Sequence, residues 1–255
     1  MNALIFAAGL GTRLKPLTDT MPKAMVPVCG KPLVQILIEK LKGIGVDHIV
    51  INVHHFAQQI IDFVQANRSF GIDIQFSDET DMLLETGGGL KKAACLFPNA
   101  DPILVHNVDI LSNADLLSLY NEGRTTDATT LLVSDRKTQR YLLFDAADRL
   151  VGWVNMATGQ VKSPHPELLA HEGDTTYFEQ HPTFKKYAFA GIQVFQPSLL
   201  PLMGSWEGKF SIIDFYLAIC DQVPIRCHFD PQLHLLDVGK LDTIAKAEEF
   251  RSLFN

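Results

Sequence analysis

Short apolar runs alternate with longer segments in which apolar residues recur every three or four positions. Residues 3–7, 47–53, 72–76, 102–106 and 128–133 are strand-length apolar runs, and such runs bounded by turn residues read as strands, those at 3–7 buried on both faces. Between them, apolar residues recur at Leu33, Ile36, Leu37 and Leu41 after Lys31-Pro32. Proline near the first helical position suits a helix start, and Gly43 or Gly45 its end. Residues 58–64 and 113–120 supply two further helices. Strand, helix, strand in repetition predicts a doubly wound α/β fold, Rossmann-like, with a mostly parallel mixed sheet covered by helices. Ligands of such sheets gather at the carboxyl ends of the strands.

Beyond Arg136 the pattern changes. Residues 141–145, 150–154 and 187–195 look like strands without long helices between them, which predicts a small β-rich insert. Residues 155–185 are rich in His, Pro, Gly and charge and read as a long functional flap. Ser211 is placed to cap a helix over 212–221, followed by strands near 223–229 and 234–238 and a helix over 242–254.

Composition narrows the class. A 255-residue chain with 47% apolar residues can bury a sizeable core, and a formal charge of −7 argues against a nucleic-acid polymer as partner. Neither a basic leader nor a membrane-length apolar run is present, so a cytoplasmic location and no membrane partner are expected. Cys29, Cys95, Cys220 and Cys227 are scattered without a CxxC pair and are expected as buried thiols. His54, His55, His165, His171 and His181 show neither HExxH nor i,i+4 ligand spacing.

The first strand runs into Ala8-Gly9-Leu10-Gly11-Thr12-Arg13-Leu14-Lys15-Pro16-Leu17-Thr18-Asp19-Thr20-Met21-Pro22-Lys23. Small residues at Ala8, Gly9 and Gly11 let the backbone approach a ligand and aim N–H groups at its oxygens. Arg13 and Lys23 bring cations to the same place. The dinucleotide fingerprint is excluded, because its third glycine is Leu14 here and Pro16 obstructs the helix that should follow. A P-loop is excluded too: Gly204 to Phe210 has three residues between its glycines and ends in Lys-Phe, and reads as an ordinary turn.

Asp109, where the 102–106 strand surfaces, suits a magnesium ion bridging phosphates, or caps the next helix. Asp237, in Asp237-Val238-Gly239, is a second such carboxylate or a turn residue. Leu84-Glu85-Thr86-Gly87-Gly88-Gly89 lets a flat group approach the backbone, with a helix N-terminus adding N–H groups, or is a flexible linker. Gly191 marks a bulge, a packing requirement or a ligand contact. Lys162, Lys185 and Lys186 are read as solvated charges, with contact to a phosphate as the alternative.

The motif Gly9-x-Gly11-Thr12-Arg13 with Pro16, Thr18 and Pro22-Lys23 resembles the signature of the sugar-1-phosphate nucleotidyltransferases. The 84–89 segment is similar to that of N-acetylmuramate-1-phosphate uridylyltransferases and mannose-1-phosphate guanylyltransferase-like enzymes. The resemblance implies a Mg²⁺-dependent enzyme that joins a nucleoside triphosphate to a sugar 1-phosphate and releases pyrophosphate. It implies that Ala8, Gly9, Gly11, Thr12, Arg13, Glu85, Thr86, Gly87 and Gly88 bind nucleotide, with Arg13 on the β and γ phosphates. Lys23 would lie between the α phosphate and the sugar phosphate. Asn107 and Gly191 would meet the sugar phosphate, and Asp109 and Asp237 the metal, with Arg13, Lys23 and Asp109 as the catalytic set. Val108 departs from the family's glycine between Asn107 and Asp109. One domain is implied, with residues 1–135 as nucleotide-binding core and 136–255 carrying the sugar-phosphate part and C-terminal helix. UTP with a hexosamine-type phosphate is the leading pairing. GTP with a mannose- or heptose-type phosphate, a CTP-dependent phosphocholine or polyol-phosphate enzyme, and a non-catalytic nucleotide-sugar sensor are the alternatives. The oligomeric state is not readable.

Overall fold

The computed structural model describes residues 1–180 and 183–253. In its first half, β1 (Asn2–Phe6) leads through three 3-10 turns (Thr12–Leu14, Leu17–Asp19 and Lys23–Met25) to a two-stranded ribbon of β2 (Pro27–Val28) and β3 (Lys31–Pro32). Helix α1 (Leu33–Gly43) starts one step later than the proline rule suggests, because Pro32 is held extended (φ −56°, ψ 145°) and precedes the helix rather than opening it. β4 (His48–Val53), α2 (Ala57–Ala66), β5 (Asp73–Asp78), α3 (Glu85–Ala93) and β6 (Ile103–Asn107) follow, then β7 (Ile110–Ser112), α4 (Leu116–Thr126) and β8 (Thr129–Ser134). α4 begins after 113 because the Asp115 side chain, accepting from the Ser118 N–H at 2.9 Å, is its cap.

The second half contributes β9 (Arg140–Phe144), β10 (Leu150–Asn155), β11 (Val161–Lys162), α5 (Pro166–Leu169), α6 (Thr175–Gln180), β12 (Lys185–Phe195), α7 (Ile212–Ile219), β13 (Ile225–Phe229), β14 (Leu235–Asp237) and α8 (Leu241–Leu253). Ser211 caps α7 by accepting from the Ile213 N–H. Phe254, the predicted end of the last helix, lies outside the described residues, as does His181.

β5, β4, β1 and β6 are mutually parallel. The eleven-residue β12 runs antiparallel to β6 and carries the sheet over to β8 and to the antiparallel set β9, β10 and β11, while β13 is parallel to β8. The result is the expected α/β sheet flanked by helices. Alternation along β1 shows why its run is continuously apolar: Ala3 and Ile5 pack with α1, α2, α4 and α8 on one face, Leu4 with α3 and α7 on the other. Both cores draw on residues before and after 135, so that position marks a change of connectivity within shared cores.

Residues 155–185 are not a structureless flap. β11, α5 and α6 form around their own cluster of Leu143, Val154, Val161, Leu168 and Phe178. The cysteines also depart from expectation: Cys227 is buried, whereas Cys29 and Cys95 are exposed and Cys220 is half-buried. Burial pushes the Cys220 and Cys227 thiols up to about 12. Among the described residues no helix is long and apolar enough to cross a membrane.

Candidate active site

The ends of β1, β4, β5 and β6 surround a cavity of about 500 Å³, and the 8–13 turn forms one wall of it. That turn needs glycine at 11, where φ is +63° and a Cβ would come 2.8 Å from Thr18 Cγ2. The Thr18 hydroxyl donates to the Gly11 carbonyl at 2.8 Å and pins the loop back on itself. At Gly9 a Cβ would find no atom within 4 Å, so the space beside it is open.

A buried polar relay holds the turn. The Ala7 and Ala8 N–H groups donate to Asn52 Oδ1 at 2.6 and 3.2 Å, so the Ala8 N–H points at the protein rather than at a ligand oxygen. Asn52 Nδ2 donates to Glu79 Oε1 at 2.8 Å, and the Leu84 N–H donates to Glu79 Oε2 at 3.0 Å. Glu79 has no exposed surface. Among the described residues the N–H groups of Gly9, Leu10 and Gly11 keep no internal partner. Sequence reasoning passed over Asn52 and Glu79, although Asn52 closes an apolar strand and Glu79 follows the next, the same position that singled out Asp109.

The two candidate metal carboxylates come together through a pairing of β7 with β14, which sets Asp237 opposite Ile110 and lets the Val238 N–H donate to the Asp109 carbonyl at 2.8 Å. Lys23, itself nearly buried, pairs with Asp109 and lies 3.9 Å from Asp237 Oδ1. Arg13 Nη2 lies 3.8 Å from Asp237 Oδ2. Burial first, and then the Asp109 charge, raise the Asp237 pKa, against the lowering effect of Lys23 and Arg13. Gly239 is a close-approach glycine: a Cβ there would fall 2.6 Å from Asp237 Oδ1 and 2.8 Å from Arg13 Nη2.

The 84–89 segment differs from its sequence reading. Gly87, Gly88 and Gly89 are buried inside α3, and their missing side chains make room for the protein itself. A Cβ would meet the Phe210 ring at 2.4 Å from Gly87, the Gly208 carbonyl oxygen at 2.3 Å from Gly88, and Glu79 Oε1 at 2.7 Å from Gly89. The Gly87 and Gly88 N–H groups donate to the Phe210 carbonyl at 2.9 and 3.3 Å, so a ligand does not find them free. Glu85 and Thr86 do line the cavity, as do Thr12 and Ser211.

A second cavity of about 300 Å³ adjoins the first at Asn107 and contains Asp237, Gly191 and Arg136. Gly191 (φ +76°) sits in a bulge of β12, and a Cβ on it would lie 2.8 Å from Asn107 Nδ2. Lys162 and Lys185 do not line either cavity and are paired with Asp214 and Asp148 at 2.7 and 2.6 Å, while Lys186 lies over the Tyr141 ring. His54 Nδ1 lies 2.6 Å from the Glu79 carbonyl and His171 stacks on Tyr177. Arg136 carried no signal beyond an exposed charge after a strand.

A profile of the nucleotidyl transferase family matches residues 2–252. The chain is 42% identical over 109 residues to N-acetylmuramate alpha-1-phosphate uridylyltransferase of Caulobacter vibrioides, covering 42% of this chain and 45% of that one. It is 30% identical over 158 residues to mannose-1-phosphate guanylyltransferase of Mycobacterium tuberculosis, covering 60% and 44%. The match thus spans about half the length of these relatives, or less. In structure, HddC from Yersinia pseudotuberculosis complexed with GMP-PN superposes with a TM-score of 0.72 at 21% identity, over 98% of this chain and 99% of that one. A UDP-glucose pyrophosphorylase complexed with UDP-glucose gives 0.75 at 16%, over the whole of both chains. Likenesses at this identity establish a common fold, and with the profile spanning nearly every residue, the chain belongs to the nucleotidyl transferase family.

Proposed function

We propose that the protein transfers a nucleotidyl group from a nucleoside triphosphate to a sugar 1-phosphate. The convergence of Lys23, Asp109 and Asp237 beside the open Gly9 turn carries this reading. A phosphate oxygen of the sugar 1-phosphate attacks the α-phosphorus, the bond to the β-phosphate oxygen breaks, and pyrophosphate leaves with the electron pair. The attacking oxygen is already ionised, so no side chain need take a proton.

Charge is the main obstacle. Two unit charges about 5 Å apart repel by roughly 3 kcal/mol at an effective dielectric near 20, and both reactants carry several. Arginine offers a planar fork for phosphate oxygens, which suits the exposed Arg13, and the ammonium of Lys23 is a compact charge for the site of transfer. Asp109 and Asp237 are two hard oxygen donors, with burial first and then the Asp109 charge raising the Asp237 pKa, a donor set that fits Mg²⁺. When bound, the ion would neutralise phosphate charge. The carboxylates would hold it, and Lys23 would turn from them to the substrate phosphates.

The uridylyltransferase relatives favour UTP with a hexosamine-type 1-phosphate, and the guanylyltransferase relatives support GTP with a mannose- or heptose-type phosphate as the second reading. Pyrophosphate release measured over four nucleoside triphosphates and a panel of sugar 1-phosphates tests both. One pairing should dominate. Nucleotide-sugar binding with no pyrophosphate from any pairing would make the protein a sensor instead.

A further inference from the structure

The second cavity has a charge that the reaction does not use. β12 departs from its register with β8 between Phe189 and Gln193, and the bulge opens the cavity that Asn107 shares with the catalytic one. Ile110, Leu235 and Leu236 give it apolar walls. Its two charged residues among those described are Asp237 and Arg136. Asp237 is already engaged by Lys23 and Arg13. Arg136 has no carboxylate within ion-pair distance among the described residues; its Nη2 donates to the Phe189 carbonyl at 3.2 Å, which anchors one edge of the guanidinium at the cavity. Five N–H donors on a planar fork leave most of the group for a ligand, and a bidentate acceptor is what that fork matches.

Resting on the nucleotidyl-transfer reading, we propose that the acceptor sugar 1-phosphate carries a second anionic group, a carboxylate or a further phosphate, and that Arg136 binds it. The shared wall at Asn107 lets one molecule place its anomeric phosphate by Lys23 and its ring in the second cavity. The anomeric phosphate is already served by Lys23 and the leaving phosphates by Arg13, so Arg136 adds selectivity among acceptors. An Arg at this place discriminates by charge, because a neutral acceptor leaves the guanidinium with the Phe189 carbonyl and no ion-pair partner.

The test uses matched acceptors: glucose 1-phosphate against glucuronic acid 1-phosphate and glucose 1,6-bisphosphate, and N-acetylglucosamine 1-phosphate against N-acetylmuramic acid 1-phosphate. Affinity is read by calorimetry, turnover by pyrophosphate release, for wild type, Arg136→Gln and Arg136→Lys. In at least one series the acidic acceptor should bind about 30-fold more tightly than its neutral partner, as a charge-assisted pair provides. The preference should shrink below about threefold in Arg136→Gln and recover in part in Arg136→Lys, with the melting temperature unchanged. Which acid wins separates carboxylate from phosphate. Equal binding of acidic and neutral acceptors by wild type, no binding of any acidic acceptor, or an equal loss for all acceptors in Arg136→Gln would overturn the proposal. Pyrophosphate from neutral and acidic acceptors alike would overturn it while leaving nucleotidyl transfer standing. Charge-selective, Arg136-dependent binding without pyrophosphate would sustain it and remove nucleotidyl transfer.

Discussion

At Gly9 a side chain would project into empty space, whereas at Gly87 and Gly88 it would strike the Phe210 ring and the Gly208 carbonyl at 2.4 and 2.3 Å. Gly9 lines the cavity and Gly87 and Gly88 directly follow Glu85 and Thr86, which line it too, and both segments look in sequence like backbone prepared for a ligand. Among the described residues the N–H groups of the 9–11 turn keep no internal partner, and the room beside Gly9 is open. The 87–89 segment has closed its room with its own chain and given its N–H groups to Phe210. Glycine thus leaves open room in one case and serves helix packing in the other, and the Asn52–Glu79 relay joins the two segments, reaching Ala8 at one end and Leu84 at the other.

The largest effect should come from the cation at the open turn. Lys23→Ala should lower kcat by a hundred- to a thousandfold, about 3–4 kcal/mol of transition-state stabilisation, in a steady-state pyrophosphate assay. On the closed side, Gly88→Ala should destabilise the fold by about 1–3 kcal/mol in urea unfolding. Alanine favours a helix over glycine by about 1 kcal/mol, but a backbone oxygen 2.3 Å away cannot swing aside, and the clash decides the sign. Asn52→Ala strikes the link between the two: it strands the Ala7 and Ala8 N–H groups and one Glu79 oxygen, costing about 2 kcal/mol by the same measurement and raising KM for the nucleotide. Gly9→Ala should raise that KM about tenfold while moving stability by less than about 0.5 kcal/mol. A stability loss at Gly9 equal to that at Gly88 would erase the distinction between the segments.

A pH series adds a control outside both segments. Burial holds the His106 imidazole, on β6, down to about 4 from 6.5, so the folded state keeps it neutral where the unfolded chain protonates it. This contribution to stability is therefore complete above about pH 6.5 and is lost as pH falls toward 4. His106→Gln should make the acid limb of stability shallower, by at most about 1.4 kcal/mol per pH unit.

Much of this architecture was legible because it is local. Apolar runs located β1, β4, β6, β8 and β12 to within two residues, since strands covered on both faces admit little polarity. Asp109 and Asp237 were legible as polar residues at the ends of apolar runs, but their meeting depends on β7 pairing with β14 across more than a hundred residues, which periodicity does not encode. The partners of Gly87 and Gly88 are likewise distant, at 208–210, so the sequence shows three glycines and not what fills the space beside them. The relay through Asn52 and Glu79 was missed because each looks like an isolated polar residue until the parallel strands align their ends. Residues 155–185 were misread as a loop because their small cluster is closed by Leu143 and Val154 from preceding strands.

On the proposed function, Asp109 and Asp237 would share a divalent ion beside the Gly9 turn. Electron paramagnetic resonance of Mn²⁺, titrated with a non-hydrolysable nucleoside triphosphate into wild type, Asp109→Asn and Asp237→Asn, tests it directly. Wild type should hold the ion at a site that each single substitution weakens by about tenfold or more, as loss of one of two protein carboxylates requires. Mn²⁺ bound with undiminished affinity by both variants would contradict the account.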